Sequence, residues 1–338
     1  MIKKVGRFFK ILLLLLWLMG STTWAALAVN FGDSNSSTAQ LIISITVALI
    51  GLITIVSLLF VSSWRKRLLL VHAVIFLMVL LWWLNIQPAN DRLWQADVSK
   101  LTHASVEGDL VTVHNIRNFS YHSEFDYKAD YYDKTFDLNK LEGVALFAVY
   151  WMGPAIAHII MSFDFGEHNH LAVSIEARKE AGEGYSTLKG FFRQYELIYI
   201  VADERDVIGL RTHYRKDPPE QVYRYRPKAP KENARRLFLE YIDSINALYK
   251  APAFYNTLLA NCTSVIWLHT RVNPGHLPLS WKILLSGYVP EYLYESGRLD
   301  QQVSFTKLKD QAYINPLVEK QLISELFSSA IRPKIKRY

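Results

Sequence analysis

The chain contains one cysteine, Cys262, which is either a reactive nucleophile or a small buried residue. Asn261 immediately precedes it and is a residue type that caps helix N-termini, so Cys262 is predicted to lie in the first turn of a helix. There the helix dipole and the backbone N–H groups stabilise a thiolate, the nucleophilic form of cysteine. The same N–H groups can receive an oxyanion during acyl transfer. The alternative is a small, buried, apolar cysteine with no chemical role.

A thiol nucleophile needs a base, and a predicted β-hairpin offers one. Residues 155–164 and 170–178 read as paired strands, and the residues between them are turn formers. If that turn closes the hairpin, the numbers of paired residues sum to about 334, and His158 faces Glu176. The carboxylate would then fix the tautomer of the imidazole and stabilise its cation. The alternatives are a core histidine without a catalytic role and a register shifted by one residue.

The hairpin turn itself has residue types that bind metals. The segment Gly166-Glu167-His168-Asn169-His170 could hold an ion, but no third ligand follows at a regular spacing, and a hydrophilic turn is the prediction. His170 is the second candidate for orienting the base. We therefore expect neither a metal nor another cofactor. The sequence also lacks a glycine-rich phosphate loop and a Gly-x-Ser-x-Gly elbow.

Residues 1–87 predict a membrane anchor. Three apolar runs, at about residues 8–29, 41–63 and 68–86, each approach the ~20 residues that a helix needs to cross a bilayer. Seven basic residues and one acidic residue lie in this region, so it carries +6 of the net charge of +7. The basic pI therefore indicates membrane topology and not a nucleic-acid-binding surface, and no nucleic-acid partner is expected.

The positions of these charges predict the orientation of the anchor. Basic residues precede the first run, and Arg65–Arg67 separate the second run from the third, which places both sites in the cytoplasm. Residues 88–338 would then form a domain on the periplasmic side of a bacterial inner membrane. The alternative for the first run is a signal peptide cleaved near Ala26-Leu27-Ala28, and it leaves this orientation unchanged.

The periplasmic region shows strand patterns first and helix patterns afterwards. Strands are predicted at 197–202 and 207–211, joined by a charged turn at 203–206 with internal ion pairs. An amphipathic helix is predicted from about Glu232 to Lys250, and a second from about Asn261 to Thr270. This order is typical of the α+β class.

A series of short motifs in this region resembles a known bacterial family. In order, they are Asn115-Ile116-Arg117-Asn118-Phe119, His158 with Ser162-Phe163, Ser174-Ile175-Glu176-Ala177-Arg178, Tyr195-Glu196-Leu197, Glu204-Arg205-Asp206, Phe254-Tyr255-Asn256-Thr257 and Asn261-Cys262-Thr263. Together they resemble the family named for the N-terminal periplasmic domain of the lipoprotein N-acyltransferase Lnb. The resemblance covers roughly residues 90–300.

The resemblance implies a fold and a set of residue roles. The fold would be a circularly permuted papain-like domain, related to NlpC-type and lecithin:retinol-acyltransferase-like (LRAT-like) enzymes, and here preceded by three transmembrane helices. In that group the histidine strand precedes the cysteine helix, and this chain has the same order. The family roles would make Cys262 the nucleophile, His158 the base and Glu176 the residue that orients the base.

The resemblance also implies a reaction. An acyl chain would pass from a phospholipid to Cys262 as a thioester, and then to the α-amino group of the lipidated N-terminal cysteine of a bacterial lipoprotein. Asn261, Arg178 and Tyr255 are the expected substrate-binding residues. The runner-up is an NlpC-type thiol hydrolase that cuts peptides or amides of the cell envelope. A third alternative is a non-catalytic scaffold with the same fold.

Overall fold

The chain folds into two compact units. The computed structural model describes residues 2–32, 38–61, 63–166, 169–318 and 326–332. One unit comprises Met1–Asn90 together with Gly184–Glu196, and the other comprises Asp91–Glu183 together with Leu197–Tyr338. A short segment of the later chain therefore belongs to the same unit as the N-terminal helices.

The first unit is built on three long apolar helices. These are α1 (Ile2–Phe31), α2 (Thr38–Phe60) and α3 (Arg65–Asn85). Each is long and apolar enough to cross a membrane, so the prediction of three such helices is confirmed. The helices α1 and α3 begin earlier than their apolar runs, because the basic residues that precede these runs are good helix formers and continue the same helices.

Small and polar residues bring these helices together. A Cβ atom at Gly51 of α2 would collide with Thr22 of α1, so glycine permits the close approach of the two backbones. The Oγ of Ser21 in α1 lies 2.9 Å from the Nε2 of His72 in α3, and both residues are buried. An interhelical hydrogen bond of this kind satisfies two polar groups in an apolar surrounding.

The second unit contains a mixed β-sheet. Its strands are β1 (His103–Glu107), β2 (Leu110–Arg117), β5 (Tyr131–Asp137), β6 (Gly143–Tyr150), β7 (His158–Asp164), β8 (His170–Arg178), β9 (Glu196–Ala202) and β10 (Gln221–Tyr225), while β3 (Ser120–Tyr121) and β4 (Tyr127–Lys128) form a separate pair. The spatial order is β1-β2-β9-β8-β7-β6-β10, and β5 pairs with β2. The pairing of β2 with β9 is parallel, whereas β6, β7 and β8 are mutually antiparallel.

Helices cover both faces of this sheet. They are α4 (Glu204–Gly209), α5 (Lys231–Lys250), α6 (Cys262–Thr270), α7 (Trp281–Leu284), α8 (Val289–Glu295), α9 (Phe305–Ala312), α10 (Asn315–Val318) and α11 (Phe327–Ala330). One apolar core joins the sheet to α5, α6 and α8, and the other joins it to α4, α10 and α11. The α+β class is confirmed, as are the two predicted helices at 231–250 and 262–270.

The predicted hairpin forms with the predicted register. Pairs from Ile160 with Ser174 to Asp164 with His170 all have numbers that sum to 334. This register continues toward His158 and Glu176, which lie on the same face of neighbouring strands. The register places the proposed base beside the proposed carboxylate.

The prediction of a strand at 207–211 is wrong. Residues Glu204–Gly209 form α4, which continues as a π-helical stretch at Leu210–Tyr214. The acids of the predicted charged turn are buried and bind distant partners: Glu204 pairs with Arg332 at 2.5 Å, and Asp206 pairs with Arg117 at 2.8 Å. Because these carboxylates must reach partners inside the domain, the segment coils inward and does not extend along the sheet.

Candidate active site

Cys262 is the first residue of α6, and Asn261 is the N-cap, as the sequence predicts. The Oδ1 of Asn261 accepts hydrogen bonds from the backbone N–H groups of Thr263 and Ser264, each at 2.8 Å. The Oγ of Ser264 accepts a hydrogen bond from the N–H of Asn261 at 3.0 Å, which completes a capping box. Asn261 therefore fixes the start of the helix that carries the thiol, and two first-turn N–H groups are bound to its side chain.

The thiol of Cys262 is half-buried, and its surroundings favour the thiolate. Burial alone raises the pKa of this thiol. The charge and hydrogen bonding of His158, together with the backbone N–H of Ile159 and the hydroxyl of Thr263, lower it further than burial raises it. The net result is a thiol pKa below its ordinary value, which increases the population of the nucleophilic form.

His158 and Glu176 are connected through a serine. The Nε2 of His158 lies 2.7 Å from the Oγ of Ser174, and that hydroxyl donates to the Oε1 of Glu176 at 2.6 Å. Because the hydroxyl proton of Ser174 is directed at the carboxylate, its oxygen accepts from Nε2, and Nε2 carries a proton. The Nδ1 of His158 is then the ring nitrogen left for the thiol. The direct distance from Nε2 to Oε1 of Glu176 is 3.5 Å.

The protonation preferences of the two groups agree with this geometry. Burial and the charge of Arg211 lower the pKa of His158, but the Cys262 thiolate and the Glu176 carboxylate raise it above its ordinary value. Burial raises the pKa of Glu176, whereas His158, Arg211 and Ser174 hold it well below its ordinary value. The cluster therefore favours the charged forms: the thiolate of Cys262, the imidazolium of His158 and the carboxylate of Glu176.

An arginine absent from the sequence-based site also binds the carboxylate of Glu176. The Nη2 of Arg211 donates to the Oε1 of Glu176 at 3.2 Å, and its Nη1 donates to Glu220 at 3.3 Å. Arg215 also donates to Glu220 at 3.0 Å. Ser174 could have been found, because it shares a strand face with Glu176 two residues away. No spacing in the sequence links Arg211 or Glu220 to the hairpin.

Two of the expected substrate-binding residues, Arg178 and Tyr255, are buried in the domain. Arg178 is buried, donates to the carbonyls of Val98 and Ser99 at 3.0 and 2.9 Å, and lies 4.1 Å from the ring centre of Trp94. These partners lie outside the cluster around Cys262, so the structure does not bring Arg178 to the thiol. Tyr255 is buried in the loop that leads into α6.

His170 also lies apart from the thiol. Its Nε2 is 3.3 Å from the Oδ1 of Asp164, the residue opposite it in the hairpin. His170 thus pairs with the carboxylate at the turn end of the strands and not with His158. Glu167 and His168 of the metal-binding alternative lie outside the described residues.

A largely apolar cavity of about 160 Å³ lies against β7 and α6, the elements that begin at His158 and Cys262. The strands β6 and β7 and the helices α5, α6, α7 and α8 contribute to its wall, with side chains that include Leu146, Met161, Leu237, Ile266, Trp267 and Val289. Ile159 and Thr263, which directly follow His158 and Cys262, also line it, and the hydroxyl of Thr263 lies 3.6 Å from the sulfur of Cys262. This volume is close to that of a dry cavity of about 150 Å³ that binds benzene. A short length of hydrocarbon chain would fit.

The comparison with family models identifies the domain that carries this site. Residues 127–287 match the model of the Lnb N-terminal periplasmic domain. The predicted resemblance is confirmed for these residues. This Lnb-type domain contains Cys262, His158, Glu176 and Arg211 within its matched residues. With three candidate membrane spans, the protein is a membrane-associated protein with a periplasmic domain. No curated protein and no solved structure matches the chain, and the permuted papain-like relationship stays a prediction.

Proposed function

We propose that this protein is a membrane-anchored cysteine acyltransferase. The acyl donor is a phospholipid ester, and the acceptor is the N-terminal amine of a bacterial lipoprotein. The observation that carries the proposal is the apolar cavity whose wall includes Ile159 and Thr263, the residues that follow His158 and Cys262. Cell-wall peptides carry many polar groups that a cleft must pair, whereas an acyl chain fills a hydrocarbon-lined space.

The first half of the reaction forms a thioester. The Cys262 thiolate attacks the carbonyl carbon of the phospholipid ester, and the bond from that carbon to the glycerol oxygen breaks. The imidazolium of His158 gives its proton to the departing glycerol oxygen. Because Asn261 binds the N–H groups of Thr263 and Ser264, the N–H of Cys262 itself is the first-turn donor that we assign to the oxyanion.

The second half transfers the acyl group. The acceptor amine attacks the thioester carbon, neutral His158 takes the amine proton, and the Cys262 thiolate leaves. Glu176 stays ionised throughout and stabilises the imidazolium in both halves through Ser174. These steps use the side chains of the protein and no cofactor. The interaction of thiol and imidazole also argues against a scaffold that merely retains the fold.

The proposed location follows from the anchor. Three spans with basic residues before the first and between the second and third give a multi-pass protein of the bacterial inner membrane, with the catalytic domain on the periplasmic side. Phospholipid donors and lipidated acceptors are both present at that membrane surface. The partners are therefore the bilayer, a phospholipid and a lipoprotein.

Incubating the full-length protein with phospholipid vesicles should produce an acylated Cys262. Intact mass spectrometry should show one added acyl mass, and peptide mapping should place it on the single cysteine. Release by neutral hydroxylamine would identify a thioester. Vesicles of ether-linked phospholipid are the matched control, because they offer no ester to cleave. Absence of the adduct, together with release of peptides from cell-wall fragments, would favour the hydrolase.

Filling the cavity should shift the chain-length preference of acylation. Leu237→Trp adds bulk to the wall, and each methylene thereby excluded should reduce acylation by about fourfold, from ~0.8 kcal/mol of lost burial. Long chains should lose more than short chains when acyl-enzyme formation is measured over a series of phospholipids. Leu239→Trp on the same helix is the control, since Leu239 does not line the cavity. An equal loss for all chain lengths would place the acyl chain elsewhere.

A further inference from the structure

The segment Gly184–Glu196 leaves the strands of the periplasmic domain and joins the unit of membrane helices. It follows β8 in the sequence and ends at the first residue of β9. Within its unit, Phe192 is buried in an apolar cluster with residues of α1, α2 and α3 that include Ala25, Val47 and Val79. Its carbonyl also accepts a hydrogen bond from the Nε1 of Trp83 at 3.4 Å. The segment is therefore held against the helices by a buried aromatic anchor.

Arg193 fixes the same segment to the end of α3. Its Nη1 donates to the carbonyls of Trp83, Leu84 and Ile86 at 3.0, 3.1 and 3.0 Å. The last carbonyls of a helix have no partner within the helix and carry partial negative charge. A guanidinium there donates hydrogen bonds to these carbonyls and is attracted by their charge. The guanidinium also lies 4.2 Å from the ring centre of Trp83.

The backbone of Arg193 shows that this arrangement is enforced. Its φ is +62°, in the left-handed region that favours glycine. A non-glycine residue in that region costs free energy and persists where surrounding contacts hold it. Here those contacts are the three helix-end carbonyls and the ring of Trp83.

Three further side chains of the segment are large, mainly apolar and exposed. Tyr185, Leu188 and Phe191 are exposed to 50%, 45% and 40%. Lys189 lies among them, with its Nζ 6.0 Å from the ring centre of Phe31 at the end of α1. Aromatic residues and long basic side chains with apolar stems are typical of the depth at which lipid headgroups meet acyl chains.

We propose that Gly184–Glu196 is a lipid-contacting segment at the outer interface of the bilayer. The segment contacts the C-terminal ends of α1 and α3, and these are the ends that the charge distribution of the anchor assigns to the outer side. Because spanning helices end where the hydrocarbon ends, a segment bound to those ends lies at the same depth as the headgroups. The exposed side chains of Leu188 and Phe191 therefore contact lipid.

Fluorescence quenching by lipids tests this surface without any acyl transfer. In a Cys262→Ser background, Leu188→Cys or Phe191→Cys provides one thiol for an environment-sensitive fluorophore. The labelled full-length protein is placed in phosphatidylethanolamine–phosphatidylglycerol vesicles with brominated acyl chains. Phe125→Cys is the control, an 88% exposed aromatic position outside the segment. Quenching at 188 and 191 should exceed that at 125 several-fold.

A second variant tests the anchor. Arg193→Ala should reduce the quenching at position 188, because the segment loses its bonds to the end of α3. Quenching at 188 and 191 no greater than at 125 would overturn the proposal. A blue-shifted emission that brominated lipids do not quench would also overturn it, because that result indicates a protein partner. Neither result bears on the thioester assay, so the two proposals fail independently.

Discussion

Replacing Cys262 with alanine should abolish lipoprotein N-acylation by this protein. Without the thiol no acyl-enzyme can form, and removal of a covalent nucleophile in comparable enzymes costs about 10⁶ in rate. The measurement is the mass of the N-terminal peptide of a lipoprotein in cells that depend on this protein for acylation. The unacylated peptide should accumulate completely.

Cys262→Ser separates loss of chemistry from loss of structure. Serine keeps the size of the side chain, but its hydroxyl is a far weaker acid, so His158 cannot produce the nucleophile in the same way. Both variants change one half-buried atom, and the free energy of unfolding should change by only about 1 kcal/mol. Normal thermal unfolding with lost acylation is the expected combination. Full acylation by the alanine variant would favour the non-catalytic scaffold.

The hairpin was predictable because its turn and its alternation leave few choices of register. Because both faces of β7 are buried, the short turn between Asp164 and His170 and its loop length determine the observed pairing. That pairing brings His158 next to Glu176. The cap at Asn261 was predictable for a similar reason, since one residue type and its own backbone neighbours determine it.

The rest of the site depends on contacts between distant parts of the chain. The apolar residues at 207–211 indicate a strand, yet the burial of Glu204 and Asp206 against Arg332 and Arg117 imposes a helix. The π-helical stretch that follows carries Arg211 to Glu176. Local patterns contain no information about such pairs, because each partner lies in a different element.

Glu176→Gln should reduce acyl transfer by ~10²–10⁴-fold, the range for loss of a properly oriented general base. The carboxylate stabilises the imidazolium of His158 more than the neutral ring, so its loss lowers the pKa of His158. A less stable imidazolium in turn stabilises the thiolate less, and the pKa of Cys262 rises. At pH values between the thiol pKa of the parent and the higher thiol pKa of the variant, the variant therefore has less thiolate than the parent.

Alkylation of the single cysteine measures this shift directly. The rate of reaction with iodoacetamide follows the thiolate, so the rising limb of its pH profile should move to higher pH in Glu176→Gln. Ser174→Ala should move the limb less, because it removes the bridging hydroxyl but leaves the carboxylate 3.5 Å from the ring. Glu180→Gln is the matched control, since Glu180 pairs with Arg92 and not with His158.

The ion pairs of Arg211 should keep the Glu176→Gln variant folded. In Glu176→Gln, Arg211 retains Glu220 as an ionised partner, so no buried cation is left unpaired. The variant should therefore unfold at nearly the same temperature as the parent, while its alkylation profile shifts. A profile identical to that of Glu180→Gln would show that the carboxylate does not act on the thiol. A lowered rate at every pH with no shift would assign Glu176 a purely structural role.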